Sequence, residues 1–207
     1  MTGADTVRIL RAADRPAAGW KNGGGVTREI AVRPEGAGMD DFAWRVSLAD
    51  VTADGPFSAF PGVDRTLTLA EGAGMDLAIG GVRRLVDRRH SPQRFPGDLR
   101  TDCRLLDGPV VNLNVMYRRD SVRADTAIVA GDLLLAVPPG ETLLVVVLEG
   151  TARLDGHEAE PGPYDALLCT GAGPFRVRVP GRAAVVRLGP ARPAGQPVAP
   201  RVSAGPA

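Results

Sequence analysis

Arginine and asparagine side chains recur at alternate positions of several short apolar segments, a pattern that suits the binding of an anion. In RTLTLA, Arg65 shares one strand face with Leu67 and Leu69, because alternate residues of a β-strand point to the same side. A guanidinium group can pair with both oxygens of a carboxylate at once. If the apolar face fills the interior, Arg65 is predicted to point inward and to hold a small carboxylate.

Two further segments repeat this alternation of polar and apolar residues. The polar side of VVNLNVMYR carries Asn114 and Arg118, and the polar side of WRVSLA carries Arg45 and Ser47. On an isolated strand such a side faces solvent, whereas on a strand between two β layers it lines a cavity. The second interpretation places these side chains beside Arg65.

Asp64 and His90 are the candidate proton-transfer groups if the protein is an enzyme. Asp64 has an alternative role, in which an ion pair with Arg65 fixes the loop or orients the guanidinium. Ser58 lies outside any G-x-S-x-G motif, which argues against an esterase nucleophile. A protein that binds without catalysis is therefore the preferred interpretation. A cofactor-independent isomerase or hydrolase, and a dimeric scaffold that uses a sheet edge, are the alternatives.

The two histidines, His90 and His157, lie far apart and lack the H-x-H spacing of a metal-binding cupin. Because imidazole is the usual anchor of such sites, we expect no metal and no cofactor. Cys103 and Cys169 are also far apart and have no C-x-x-C spacing. They are predicted to be reduced, buried thiols.

The glycine-rich segment WKNGGGVTREI lacks both phosphate-loop motifs and leads into a β-branched strand. Asn22 followed by Gly23 is a strong hairpin-turn signal. Two interpretations remain open: a simple turn, or bare backbone that approaches a ligand beside Trp20.

The composition limits the partners that the protein can have. Hydrophobic residues make up 44% and charged residues 24% of the chain, and the formal net charge is +1. The arginines are mixed with acidic residues, so neither nucleic acid nor a membrane surface is an expected partner. The first residues do not form a secretory signal, and no apolar run is long enough to span a bilayer. The expected location is the cytoplasm.

Frequent turns predict an all-β fold. The chain has 26 glycines and 18 prolines, and they leave few windows long enough for a helix. Period-two alternation predicts strands in TREIAV, RTLTLA, VVNLNVMYR, TLLVVVLEG, FRVRV and AAVVRL. Two segments stay ambiguous: 82–91, which reads as a short helix or a charged loop, and 120–129.

An internal repeat divides the chain into two similar halves. Pro61–Gly62 falls on Pro139–Gly140 when the halves are overlaid, and Glu71–Gly72 falls on Glu149–Gly150. The order of Pro-Gly turn, strand, Glu-Gly turn and strand resembles the cupin repeat, a double-stranded β-helix or jelly roll of the RmlC-like type. Two repeats predict a bicupin. The expected division is a first half at 1–120 with the ligand cavity, a structural second half at 121–190, and a flexible tail at 191–207.

WKNGGGVTREI, the long block from Phe42 to Leu77, FPGD and VNLNVMYRR occur in the order and spacing of the HutD/Ves family of cupin-like proteins. The resemblance covers roughly residues 8–190. It implies a bicupin without metal, a link to histidine utilisation, and the sensing of a small acidic metabolite such as N-formylglutamate. The positions that match the family's motifs, and thus the candidate ligand-binding residues, are Trp20, Asn22, Thr27, Trp44, Arg45, Ser47, Phe57, Ser58, Phe60, Asp64, Arg65, Asn114 and Arg118.

Overall fold

The computed structural model describes residues 6–171 and 173–191, and the regular secondary structure of this part of the chain is almost entirely β-strand. One short 3-10 helix, Ala12–Asp14, interrupts them. The strands are β1 (Thr6–Leu10), β2 (Ala17–Gly19), β3 (Gly25–Arg33), β4 (Trp44–Val51), β5 (Gly55–Phe57), β6 (Val63–Glu71), β7 (Met75–Ile79), β8 (Val82–Val86), β9 (Gln93–Pro96), β10 (Thr101–Leu105), β11 (Val110–Arg118), β12 (Val122–Leu135), β13 (Thr142–Glu149), β14 (Arg153–Leu154), β15 (Ala166–Thr170) and β16 (Phe175–Pro190).

The all-β prediction is confirmed, and the two ambiguous segments are resolved. The helical alternative for 82–91 is wrong, because Val82–Val86 forms β8 and pairs with β7. Residues 120–129 form a turn and the first half of β12. No helix of the described ranges is long and apolar enough to span a bilayer.

The strands form three antiparallel sheets. The central sheet has the order β2-β3-β4-β11-β6-β9, and the small sheet has the order β5-β10-β7-β8. The C-terminal sheet has the order β1-β15-β13-β16-β12, with β14 paired to β16. Strand β1 therefore joins the C-terminal sheet, although it lies at the start of the chain. The predicted division of the chain into halves remains a prediction, and the tail from residue 192 lies outside the described residues.

The central sheet buries both of its faces. Leu67 and Leu69 pack with Leu77 of the small sheet in one apolar cluster. On the opposite face, Val46 and Val115 pack with residues of the C-terminal sheet in another. Asn112 and Asn114 on the polar side of β11 are buried, so this side faces protein and the solvent-facing interpretation is wrong.

The Glu-Gly turns of the repeat have matching backbone geometry. Gly72 has φ +94° and Gly150 has φ +72°, a left-handed conformation that favours glycine. A Cβ at Gly72 would lie 2.5 Å from the carbonyl oxygen of Pro109. Both the backbone angle and the close packing therefore require glycine at the first of these turns.

Candidate functional site

Arg65 lies in the interior between the central and small sheets and is 8% exposed. Its Nη2 donates a hydrogen bond to Oδ1 of Asn114 at 3.3 Å. The guanidinium carbon lies 5.2 Å from the ring centroid of Phe57 and 5.5 Å from that of Phe95. We call these four residues the Arg65 cluster. Two aromatic faces and one amide therefore surround the cation.

The charge of Arg65 has no protein counter-ion within the described part of the chain. Burial lowers the pKa of the guanidinium to about 10, so the group is still protonated at neutral pH. Its Nε has no hydrogen-bond partner, and no carboxylate of the described residues forms an ion pair with it. A buried, unpaired charge is unfavourable. The cluster is therefore chemically suited to bind a small anion.

Polar side chains continue from the Arg65 cluster along the interior face of the central sheet. Ser47 pairs in register with Asn114 and is 3% exposed. Asn112, two residues along β11, is 0% exposed. Neither its Oδ1 nor its Nδ2 has a hydrogen-bond partner in the described structure. This face thus offers an unused amide donor and acceptor on Asn112, two residues along β11 from Asn114.

Arg45 of β4 lies on the same face but already has a counter-ion. Its Nε donates to Oε2 of Glu29 at 2.7 Å, and its Nη1 lies 2.9 Å from Sδ of Met39. The Arg45 side chain is 13% exposed and that of Glu29 is 39% exposed, which places the pair at the rim of the interior. Arg45 can therefore contact a ligand at Arg65 only if it also keeps its bond to Glu29, or if the ligand replaces Glu29 as its partner.

Trp20 and Thr27 form one wall next to the Arg65 cluster. Nε1 of Trp20 donates to Oγ1 of Thr27 at 2.8 Å, and the ring of Trp20 meets that of Phe57 edge to face at 6.0 Å. Asn22 accepts a hydrogen bond from the Gly24 backbone at 3.1 Å.

The glycines of this segment have a structural function. A Cβ at Gly25 would lie 2.3 Å from the carbonyl oxygen of Asp50. Gly23 has φ +71°, and its N–H donates to the carbonyl of Trp20 at 3.0 Å. This geometry favours the simple-turn interpretation of the glycine-rich segment.

Asp64 does not join the Arg65 cluster, because successive residues of a strand point to opposite faces. Its Oδ1 accepts a hydrogen bond from Nε of Arg119 at 3.0 Å, and its Oδ2 lies 3.5 Å from the hydroxyl of Tyr117. The expected ion pair between Asp64 and Arg65 is therefore replaced by one between Asp64 and Arg119.

Two other candidates, Arg118 and Phe60, contact Phe42 or the loop that contains it. Nε of Arg118 donates to the carbonyl of Phe42 at 3.0 Å, and Nη2 donates to that of Asp40. The ring of Phe60 lies 6.3 Å from that of Phe42. Ser58 is exposed to solvent. The side chain of Arg118 thus binds backbone carbonyls of the loop before β4 and does not reach the Arg65 cluster.

Trp44 is placed on the opposite face of the central sheet, in the cluster shared with the C-terminal sheet. It borders a groove of about 700 Å³ between these sheets, which Glu141 and Thr142 also line. A smaller depression of about 280 Å³ lies on the C-terminal sheet. Arg178 in that depression is paired with Asp132 and is well exposed, so it lacks the uncompensated charge of Arg65.

His90 lies where the two repeats meet, away from Arg65. Its buried Nε2 is 3.8 Å from Oε1 of Glu149. In a reciprocal contact, the hydroxyl of Tyr164 donates to Glu71, the equivalent glutamate of the first repeat. Burial and this hydrogen bond raise the pKa of Tyr164. Both His90 and Tyr164 have positive φ, +60° and +67°. His90 is therefore part of the contact between the two repeats.

The residues present do not fit the metal site of a cupin. His157 is exposed in the turn after β14, far along the chain from His90. The described residues contain no group of three or more histidine, cysteine, aspartate or glutamate side chains that could hold a metal ion. Cys103 and Cys169 are buried and free, and burial raises the pKa of both thiols.

Three residues near the site were missing from the sequence-based set. Glu29 and Asn112 lie on predicted strands. Their alternation with apolar neighbours is the signal that could have added them to the candidate set. Phe95 reaches Arg65 because β9 pairs with β6, with Phe95 directly opposite Arg65. Only the strand order reveals that contact.

Comparison with known proteins agrees with the resemblance found in the motifs. The model of the HutD family matches residues 12–186, which is most of the chain. The chain belongs to the HutD family. An uncharacterized 21.2 kDa protein in the hutC 3' region of Pseudomonas putida is 39% identical over 57% of this chain. The match spans 62% of that relative's length. A protein Ves of Cronobacter sakazakii is 36% identical over 69% of this chain and 76% of its own.

A solved structure of a HutD protein shares the architecture. HutD from Pseudomonas fluorescens SBW25, in its formate condition, has a TM-score of 0.80 and 33% identity over 89% of this chain and 99% of its own. A cupin 2 conserved barrel domain protein from Leptotrichia buccalis has a TM-score of 0.53 at 13% identity over 80% of this chain and 88% of its own. The second likeness shows only that the fold is cupin-like.

Proposed function

We propose that this HutD-family protein binds a small acidic metabolite, whose carboxylate pairs with Arg65 in the interior of a metal-free bicupin. The observation that carries the proposal is the buried guanidinium without a carboxylate partner among the described residues. A ligand carboxylate would supply the missing counter-ion in a site where water screens the interaction poorly. Arg45, Ser47 and Asn114 lie on the same face and would assist.

The ligand that we propose is an N-formylglutamate-like metabolite of histidine utilisation. The Pseudomonas putida relative takes its name from the hutC 3' region, and the Pseudomonas fluorescens structure represents a formate condition. Formate is the simplest carboxylate, so the Pseudomonas fluorescens structure supports a carboxylate ligand, and the name of the Pseudomonas putida relative supports the link to histidine utilisation. The proposed role is regulatory or sensing, with no nucleic-acid or membrane partner; a homodimer is compatible with it.

Binding without turnover is the better supported of the two candidate roles. Asp64 points away from the Arg65 cluster and is paired with Arg119, and His90 lies against Glu149 of the other repeat. A proton-transfer group must lie within hydrogen-bond reach of the atom it protonates or deprotonates. Within the described part of the chain, neither residue forms a hydrogen bond or ion pair with Arg65 or Asn114.

A thermal-shift titration tests the proposal. N-formylglutamate, glutamate, urocanate and formate are added to the purified protein, each over a range of concentrations. A ligand at 100 times its Kd should stabilise the fold by about 2.7 kcal/mol, which for this length raises Tm by roughly 5–11 °C. A rise with at least one of these carboxylates supports the proposal, and no rise with any of them contradicts the choice of ligand class.

A further inference from the structure

Asn112 is a buried amide whose hydrogen-bonding groups are both unused. The residue is 0% exposed, and neither Oδ1 nor Nδ2 has a partner among the described residues. An unsatisfied buried donor or acceptor costs roughly 1–3 kcal/mol. Because the side chain needs an acceptor for one atom and a donor for the other, its complement is a neutral group that both donates and accepts.

Asn112 faces the same interior as the Arg65 cluster. It pairs in register with Ala49 of β4, as Asn114 pairs with Ser47, so both asparagines point to one side of β11. Two residues along a strand correspond to about 6.8 Å. Asn114 accepts the hydrogen bond from Arg65, so Asn112 is the next polar side chain along this face of β11.

We propose that Asn112 determines specificity by pairing with an amide group of the ligand, a few bonds away from the carboxylate that Arg65 holds. This inference rests on the proposed function, since it needs the carboxylate at Arg65. A primary or secondary amide offers at least one N–H donor and a carbonyl acceptor, which matches the two unused atoms of Asn112. A ketone satisfies only Nδ2, and a hydrocarbon group satisfies neither atom.

Three carboxylates of the same shape separate these cases. Succinamate ends in an amide, levulinate ends in a ketone, and 4-methylpentanoate ends in a branched hydrocarbon. Calorimetric titration of the wild type should give the tightest binding for succinamate and the weakest for 4-methylpentanoate, with levulinate between them. The expected difference between the extremes is roughly tenfold, since a buried amide rejects a ligand that leaves it unpaired.

The variant Asn112→Leu removes both polar atoms at nearly constant size, and it removes an unsatisfied group, so we expect it to fold. It should bind all three carboxylates with similar affinity. Thr68→Val is the matched control, because the hydroxyl of Thr68 is also buried without a partner in the described ranges but lies on the opposite face of β6. This control should keep the wild-type order of affinities.

A second measurement does not depend on the variant. The side-chain amide resonances of Asn112 should shift when succinamate is added and should stay unchanged with 4-methylpentanoate. Equal affinities of the wild type for the three probes, abolished by Arg65→Ala, would overturn this inference while leaving the proposed function intact. A preference for succinamate that persists in Asn112→Leu would also overturn it. No binding of any probe would overturn this inference, whereas the proposed function would fall only if the four carboxylates of the thermal-shift titration also failed to bind.

Discussion

Arg65 of β6 donates a hydrogen bond to Asn114 of β11 across the interior face of the central sheet, while its own Nε has no partner among the residues that the structure describes. The guanidinium thus has one neutral acceptor, at 3.3 Å, and two aromatic rings. Such an environment orients the cation but does not neutralise it. An uncompensated buried charge of this kind is expected to lower the stability of the folded protein.

We therefore expect Arg65→Met to stabilise the ligand-free protein. Methionine fills similar space between Phe57 and Phe95 without the uncompensated charge, so the free energy of unfolding should rise by about 1–3 kcal/mol. Arg178→Met on the exposed surface of the C-terminal sheet is the control and should change it by about 0.5 kcal/mol or less. Denaturant unfolding measures both values. A clear loss of stability in Arg65→Met would show that Arg65 is a structural residue.

Neighbouring residues of β6 should differ in their effect on binding. Asp64→Asn removes the partly exposed ion pair with Arg119, which should cost less than about 1 kcal/mol of stability. It should leave ligand affinity unchanged within about twofold, because Asp64 faces away from Arg65. Affinity and Tm are measured on the same preparation. A loss of affinity as large as that of an Arg65 variant would place Asp64 in the site.

Asp165 should make stability depend on pH. It accepts hydrogen bonds from the Ala12 N–H and from Arg11, both at 2.7 Å, and from the Gly162 N–H at 3.0 Å. Burial alone would raise the pKa of this carboxyl, but the three hydrogen bonds outweigh burial and lower it. The folded pKa therefore lies below the unfolded value, and the stabilisation is lost as pH falls through the folded pKa.

Asp165→Asn should accordingly lower stability at pH 7 by about 1–3 kcal/mol, since the hydrogen bonds are to a charged group. The difference from the wild type should shrink below about pH 4, where the unfolded carboxyl is protonated. Thermal unfolding at pH 7 and pH 3 measures this difference. A gap that is the same at both values would mean that the charge of Asp165 does not contribute.

Much of the fold and part of the site follow from local patterns in the sequence. The alternation in RTLTLA and VVNLNVMYR correctly places Arg65 and Asn114 on inward-facing positions, because the period of a strand is fixed by its backbone. The two matching Glu-Gly turns can also be predicted from the sequence, because a left-handed backbone conformation favours glycine.

Other features depend on contacts between residues far apart in the chain. The same alternation shows that Asp64 must face away from Arg65, yet its nearness in sequence favoured a direct pair. The contact of Phe95 with Arg65 follows from the pairing of β9 with β6, and that of Tyr164 with Glu71 from the packing of one repeat on the other. Arg118 shares a face with Asn114, but its guanidinium is held by loop carbonyls. Local periodicity does not encode these partners.

The central claim is that Arg65 holds the carboxylate of the ligand. Isothermal titration calorimetry with N-formylglutamate tests it on the wild type, Arg65→Ala and Arg178→Ala. The wild type and Arg178→Ala should bind with the same Kd, and Arg65→Ala should bind roughly 10- to 100-fold more weakly, because a hydrogen-bonded charge pair is lost. Equal affinity of the two variants would contradict the assignment of the site to Arg65.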